Sequence, residues 1–424
     1  MRTWLLKLLM LLALALPGAA RAADPSPQLR QRAAELLQVL RGEEAPEKLL
    51  APAFLAQIPA ERMKAIAAQL SGSYGRPAGI ASIDAKSGLS AILIVDYPKA
   101  TARVELVLDP AAPHLVTSLL ISAIEAKAES AEALVAGFRA LPGRISLAAR
   151  PLDDEPQHRL VQANADQALA VGSDFKLFIL AELVREVRAG ERKWSDVVPL
   201  SAHSLPSGIL QSWPKGAPIT LHSLAALMIS QSDNTAADAL LTLVGREKVE
   251  ALLPELSLRP DPRNRPFLST REAFLLKAAD PALLQAWRAA DEKGRRAILR
   301  TLAGADVDRL DLTRFNANPI AIDAVEWFAS ADDLVRTLDW IRRSGDKIAL
   351  DILAINAGLP AAAGNFVYLG YKGGSESGVL AMAFLARRKD GSWVGAAAVW
   401  NDPAAPVAEA RLGALMSPLL TFLR

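Results

Sequence analysis

The stretch Gly172-Ser173-Asp174-Phe175-Lys176-Leu177-Phe178-Ile179-Leu180 places a serine and a lysine three residues apart at the head of an apolar segment. Leu183, Val184 and Val187 continue it, so apolar positions surround the first turns of a helix rather than lining one face. A helix that is apolar all round is a buried one. Residues i and i+3 are neighbours on a helix, so Lys176 is within reach of the Ser173 hydroxyl. Burial disfavours an ammonium and lowers its pKa. A neutral lysine can take the serine proton and make the nucleophile of acyl transfer. A serine at a helix N-terminus also keeps its backbone N–H free for a developing oxyanion. The bland alternative is a serine cap followed by a solvated lysine.

The same spacing recurs at Ser212-Trp-Pro-Lys215 and Ser344-Gly-Asp-Lys347. Pro206, Gly208, Pro214 and Gly216 surround Ser212, where no helix can hold Ser and Lys on one face. Ser344 follows Arg342-Arg343 and precedes Gly345, the signature of a helix end. Only Ser173 heads a buried helix.

Two further elements follow. Ser232-Asp233-Asn234 lies between the helical stretches Leu221 to Ile229 and Thr235 to Val244, in a connection from which side chains can enter a cleft; otherwise it is a plain turn. Lys372-Gly373-Gly374-Ser375 closes a predicted strand, with Gly where a substrate backbone can approach; otherwise it is a Gly-rich strand end.

Taken together and in order, these three elements resemble the S-x-x-K, S-D-N and K-T/S-G signature of class A β-lactamases and penicillin-binding proteins, over roughly residues 142 to 424. The resemblance implies a helical subdomain against an antiparallel sheet flanked by helices, with the site in the cleft between them. It implies Ser173 as acylated nucleophile, Lys176 as acylation base and Ser232 as proton relay. Asn234 would hold a substrate amide and Lys372 would attract a carboxylate. The N–H groups of Ser173 and Ser375 would form the oxyanion hole beside Gly374, and Ser375 or Ser377 would also bind the carboxylate. Neither cofactor nor metal is implied.

Two departures stand out. The third motif reads Lys-Gly-Gly, without the hydroxyl that normally follows the lysine; Ser375 is the expected substitute. The Ω-loop E-x-x-x-N, whose Glu activates the deacylating water, is missing from Pro254-Glu-Leu-Ser-Leu-Arg-Pro-Asp-Pro-Arg-Asn-Arg-Pro-Phe267. Glu255 and Glu272 are the nearest carboxylates. Glu255 reads as a solvated helix end, and Glu272 as the first turn of a helix capped by Ser269 or Thr270. Slow deacylation is the expectation. Residues 275 to 330 add a helical, charged and then turn-rich segment, an extra lobe over the cleft without assigned chemistry.

Upstream, residues 1–22 read as a signal peptide: Arg2 and Lys7, an apolar run Leu8 to Leu16, then Ala20-Arg21-Ala22. No stable membrane span is expected once it is removed. Residues 23–140 carry helical patterns at Leu29, Ala33, Leu36, Leu37 and Leu40, at Phe54 to Ile58, and from Pro59 through Met63, Ile66, Ala67 and Leu70. Four strand patterns follow, at Gly79 to Asp84, Ser90 to Tyr97, Ala102 to Leu108 and His114 to Ile121. This layout is similar to the NTF2-like, ketosteroid-isomerase-like cone, here a binding or spacer domain. Residues 141–424 are the hydrolase domain, so the expected class is α+β. The pairing is similar in layout to the two-domain β-lactamase-like family of clavulanic acid gene clusters.

Composition narrows the chemistry. Zero cysteines exclude disulfides, thiolate metal sites and Cys nucleophiles. The four histidines, His114, His158, His203 and His222, show no metal-ligand spacing. Loss of the three leader cations Arg2, Lys7 and Arg21 takes the formal charge from +2 to −1, which leaves no electrostatic case for nucleic acid. The expectation is an exported, periplasmic or secreted serine hydrolase acting on β-lactams or related esters and amides. The alternatives are a D,D-peptidase acting on cell-wall peptides through the same residues, and a non-catalytic periplasmic binding protein.

Overall fold

The computed structural model describes residues 25–127, 130–153, 161–201, 203–307, 310–311 and 313–424. The expected signal peptide lies outside the described residues, as does His158. The chain divides into two compact units, Met1–Lys127 and Ala128–Arg424. Both mix helix and sheet, the α+β class expected. Among the described residues no helix is long and apolar enough to cross a membrane.

The first unit opens with helix Pro27–Arg41. Ser26 caps it by accepting from the Leu29 N–H, and Gly42 ends it in the left-handed conformation at φ 74°. Leu29, Ala33, Leu36 and Leu40 form its buried stripe. Helix Pro52–Gln57 and helix Ala60–Tyr74 follow, the latter burying Met63, Ala67 and Leu70. Pro59 stands one position earlier than expected, as the residue before the helix. Four antiparallel strands then form a meander in chain order: Gly79–Ala85, Ser90–Asp96, Ala100–Leu108 and Val116–Ala126. Ala100, Ala102, Val104, Leu106 and Leu108 alternate inward, as the apolar-polar pattern predicted. The last strand starts at Val116 rather than His114. His114 sits at φ 62°, a turn conformation that cannot continue an extended strand.

The second unit is built on a five-stranded antiparallel sheet, in the order Tyr368–Glu376, Val379–Arg387, Trp393–Asn401, Arg144–Pro151, Val161–Ala163. Leu380, Met382, Phe384, Ala398 and Trp400 face helices Ala131–Arg139 and Glu409–Phe422 through Phe138, Leu412, Met416 and Leu420. Helix Ala131–Arg139, placed with the first domain by the expected 140/141 boundary, thus shares the core that buries its apolar stripe, Leu134 and Phe138. Ala381, Ala383, Leu385, Ala397 and Val399 face the opposite way, toward helix Ala331–Ser344 and the helical subdomain. Coverage on both faces explains why Val379 to Ala386 is a continuous apolar run. A leucine buried in such a core contributes about 1.5–3 kcal/mol.

The helical excursion runs from helix Lys176–Arg188 through helix Leu221–Ser230, helix Asn234–Val244, helix Arg246–Glu255 and helix Thr270–Ala278. Helices Pro281–Ala289 and Glu292–Leu302 form the expected added segment. Buried Trp287 ties it down by donating to the Ala324 carbonyl at 3.0 Å.

Candidate active site

The turn that carries Ser173 is anchored from three sides. The short strand Leu169–Ala170 pairs with Phe328–Ala329, and the Val171 N–H donates to the Trp327 carbonyl at 2.9 Å. Asn401, at the end of a central strand, holds both the N–H and the carbonyl of Ala170 at 2.9 Å. Phe175 stacks on Trp327 at 3.7 Å between ring centroids. Ser173 therefore enters helix Lys176–Arg188 through a 3-10 turn, Gly172–Phe175, fixed against both the sheet and the helical subdomain.

Gly374 makes the close approach possible. A Cβ at that position would lie 2.0 Å from the Val171 oxygen and 2.7 Å from the Ser173 nitrogen. The edge strand Tyr368–Glu376 thereby runs directly against the Ser173 turn, and it carries Lys372 into the cleft.

Lys176 is fully buried, and its Nζ meets four oxygens: Ser173 Oγ at 3.1 Å, Ser232 Oγ at 3.0 Å, the Ser232 carbonyl at 2.5 Å and Asn234 Oδ1 at 2.6 Å. Lys372, also buried, donates to Ser232 Oγ at 3.1 Å and to the Gly373 carbonyl. A continuous chain thus runs Ser173, Lys176, Ser232, Lys372. Ser232 sits at φ 56°, a costly left-handed conformation for a non-glycine residue. Its neighbours impose it. Ser207 Oγ donates to its carbonyl at 2.7 Å, and the Asn234 N–H donates to the Ser207 carbonyl at 3.0 Å. Asp233 caps helix Asn234–Val244 and accepts from the N–H groups of Ile209 and Leu210. Asn234 spends both ends of its amide within the protein, donating to the Leu205 carbonyl at 3.1 Å and accepting from Lys176.

Burial, and then the nearby Lys372 charge, hold the Lys176 pKa well below its ordinary value. Burial pushes Lys372 down to about 8, with Asp174 opposing. Asp174 is completely enclosed, and burial pushes its carboxyl up to about 8 against the pull of Lys372. Neither of its oxygens has a hydrogen-bond partner among the described residues.

The cleft holds about 580 Å³ and is lined by Ser173, Ser232, Asn234, Lys372, Gly374 and Ser375. Ser377 does not line it. The hydroxyl missing after Lys372 has a structural counterpart. A Cβ at Gly373 would fall 2.0 Å from the Tyr371 phenol oxygen, so Tyr371 fills that space and lines the cleft. Burial raises its phenol pKa.

Of the two nearest carboxylates considered from the sequence, neither reaches the cleft. Glu255 is exposed at a helix end. Glu272 completes the capping box with Ser269 and pairs with Arg246 at 2.8 Å. The cleft is instead also lined by Lys277, Glu326 and Glu376, together with Phe274 of helix Thr270–Ala278 and Phe315 of the added segment. These residues carry no motif spacing; 99 positions separate Lys277 from Glu376.

Residues 127–295, which include the Ser173 and Ser232 motifs, match the model of a family described as the beta-lactamase enzyme family. This part of the chain is β-lactamase-like. Among solved structures, a beta-lactamase from Sphaerobacter thermophilus is 22% identical, with 69% of this chain and 96% of that one covered, at a TM-score of 0.48. The structure of PBP-A is 16% identical over 69% and 94%, at 0.48. A beta-lactamase from Desulfarculus baarsii is 18% identical over 70% and 99%, at 0.48. No curated protein matches the sequence.

Proposed function

We propose that the protein is a serine hydrolase of the β-lactamase and penicillin-binding type, acting through an acyl-enzyme at Ser173 on β-lactams or related esters and amides. One observation carries this: buried Lys176 bridges the hydroxyls of Ser173 and Ser232 at 3.1 and 3.0 Å on the wall of an open cleft. Neutral Lys176 takes the Ser173 proton as the oxygen adds to the substrate carbonyl. Ser232 passes a proton to the leaving nitrogen, and the backbone N–H groups of Ser173 and Ser375 receive the oxyanion. Lys372 supplies positive charge for a substrate carboxylate, and Asn234 keeps Lys176 in place. Release of the acyl group is slow, because no Ω-loop glutamate serves it.

Within the same proposal, residues 1–22 direct export to the periplasm or medium. The first unit is an NTF2-like binding or spacer module, supported by its helices and four-stranded meander.

The test is the intact mass of the mature protein after incubation with benzylpenicillin, alongside Ser173→Ala. An adduct on the wild type that the variant lacks supports the reading. Neither adduct nor Ser173-dependent hydrolysis of penicillin or of a p-nitrophenyl ester would refute it.

A further inference from the structure

The cleft holds a carboxyl that the Ser173–Lys176–Ser232 chain does not use. Resting on the acyl-enzyme proposed above, we propose that Glu376 is the base that activates the water which releases the acyl group from Ser173.

Position comes first. Lys372, Gly374 and Glu376 alternate onto one face of the strand Tyr368–Glu376. Gly374 lies against the Ser173 nitrogen. Two residues along a strand advance the backbone about 7 Å, which leaves room for a water between Glu376 and a carbonyl held on Ser173. Both residues line the same cleft.

Access and partners come next. The Glu376 side chain is 26% exposed, whereas its neighbours Lys277 and Glu326 are 4% and 2%. Lys277 donates to Glu326 at 2.7 Å and to Glu376 Oε2. Glu376 Oε1 is itself enclosed and has no hydrogen-bond partner among the described residues, so it can take up a proton without giving up another bond. The other acidic groups near the site are committed or out of place. Asp233 accepts three backbone N–H groups. Asp238 accepts those of Thr270 and Arg271, and Asp174 is sealed from water. Glu326 Oε2 accepts from the Trp327 N–H at 3.3 Å. Glu409 is exposed and also lines the cleft, so it serves as the comparison.

The step balances. Water adds through its oxygen to the acyl carbon and gives one proton to the Glu376 carboxylate. The tetrahedral oxyanion collapses, the C–Oγ bond breaks, and the proton returns through cleft water to Ser173 Oγ. A carboxylic acid leaves, and the enzyme regains its starting charge.

The arrangement also predicts that release is slow at neutral pH. Burial and the adjacent Glu326 charge push the Glu376 carboxyl up to about 8, with Lys277 opposing. The charged groups around it are Lys277 from helix Thr270–Ala278, Glu326 ahead of Phe328–Ala329, and Lys372 on its own strand. Most molecules at pH 7 therefore hold Glu376 as the acid, which cannot accept a proton.

The experiment is decay of the benzylpenicillin adduct, followed by intact mass after removal of free penicillin, from pH 6 to 9.5. The wild-type rate should rise about tenfold per pH unit and level off near 8. Glu376→Gln should form the adduct, which shows an intact site, yet release it about 10²–10⁴-fold more slowly with no inflection near 8. Glu409→Gln should behave as wild type. Wild-type release by Glu376→Gln, or slowing by Glu409→Gln instead, would overturn the assignment. No adduct and no Ser173-dependent turnover in any form would overturn the acyl-enzyme reading itself, and this inference with it.

Discussion

Lys176 and Lys372 point their ammonium groups at the same hydroxyl, that of Ser232, at 3.0 and 3.1 Å. Two buried cations that close repel each other in a poorly screened environment. One consequence is a division of labour: Lys176 gives up its proton readily, while Lys372 keeps its own up to about pH 8. In the proposed mechanism the pair would set a base and an electrostatic anchor side by side without a histidine.

This pairing predicts a pH shift in acylation. Lys372→Met removes the cation that depresses Lys176, so the rise in acylation rate that accompanies Lys176 deprotonation should move to higher pH. Acylation of anionic penicillin should weaken, while a neutral p-nitrophenyl ester should be less affected. Stopped-flow acylation rates against pH for both substrates provide the check. An unmoved inflection would mean that Lys372 does not tune Lys176.

Asp174 predicts a stability effect with a defined sign. Its folded pKa, about 8, lies above the ordinary value of 3.8. Between those values the unfolded chain has released a proton that the folded one retains, so this group's contribution to stability falls as pH rises from about 4 to 8. Asp174→Asn keeps the shape and removes the titration. The variant should therefore gain on the wild type across that window, measured as urea midpoints at pH 5, 6.5 and 8. It should also lower the Lys372 pKa further, because Asp174 supports that charge.

Gly374→Ala tests the close approach. The added methyl meets backbone on the nucleophile turn, the Val171 oxygen at 2.0 Å and the Ser173 nitrogen at 2.7 Å. Backbone cannot step aside as a side chain can. Overpacking of this kind costs about 1–3 kcal/mol, and penicillin adduct formation should be lost while the fold persists. Chemical denaturation and intact mass read the two effects separately.

Gly373 and Tyr371 predict coupling. Gly373→Ser alone places a Cβ 2.0 Å from the Tyr371 phenol oxygen, so it should destabilise the protein rather than restore the hydroxyl of the usual motif. Tyr371→Ala opens that space. The double variant should be more stable than the sum of the single effects by about 0.5–3 kcal/mol, read from a double-mutant cycle of unfolding free energies.

Much of the site was legible because it lies in short, locally ordered motifs. Ser173 and Lys176 share one helical turn, Ser232 and Asn234 share one connection, and Lys372 to Ser375 share one strand. Helix and strand periodicity place such neighbours together before any tertiary contact is known. The Ser269–Glu272 capping box was readable for the same reason. Ser377 lies two residues beyond Ser375 and outside the cleft lining.

The Lys277, Glu326 and Glu376 cluster was not legible. Lys277, Glu326 and Glu376 come from a helix, a loop and a sheet edge, and only the packing of those elements brings their charges within reach of one another. Likewise, nothing local in Tyr-Lys-Gly-Gly shows that a phenol folds back over the second residue after it. The Ser173 turn, its Lys176 partner and the order of the three motifs were readable from the chain, because these rest on spacing of a few residues. Only the assembled fold brings Glu376 into the cleft that Ser173 lines and sets Lys372 on the Ser232 hydroxyl beside Lys176, because burial and charge proximity are properties of the packed core.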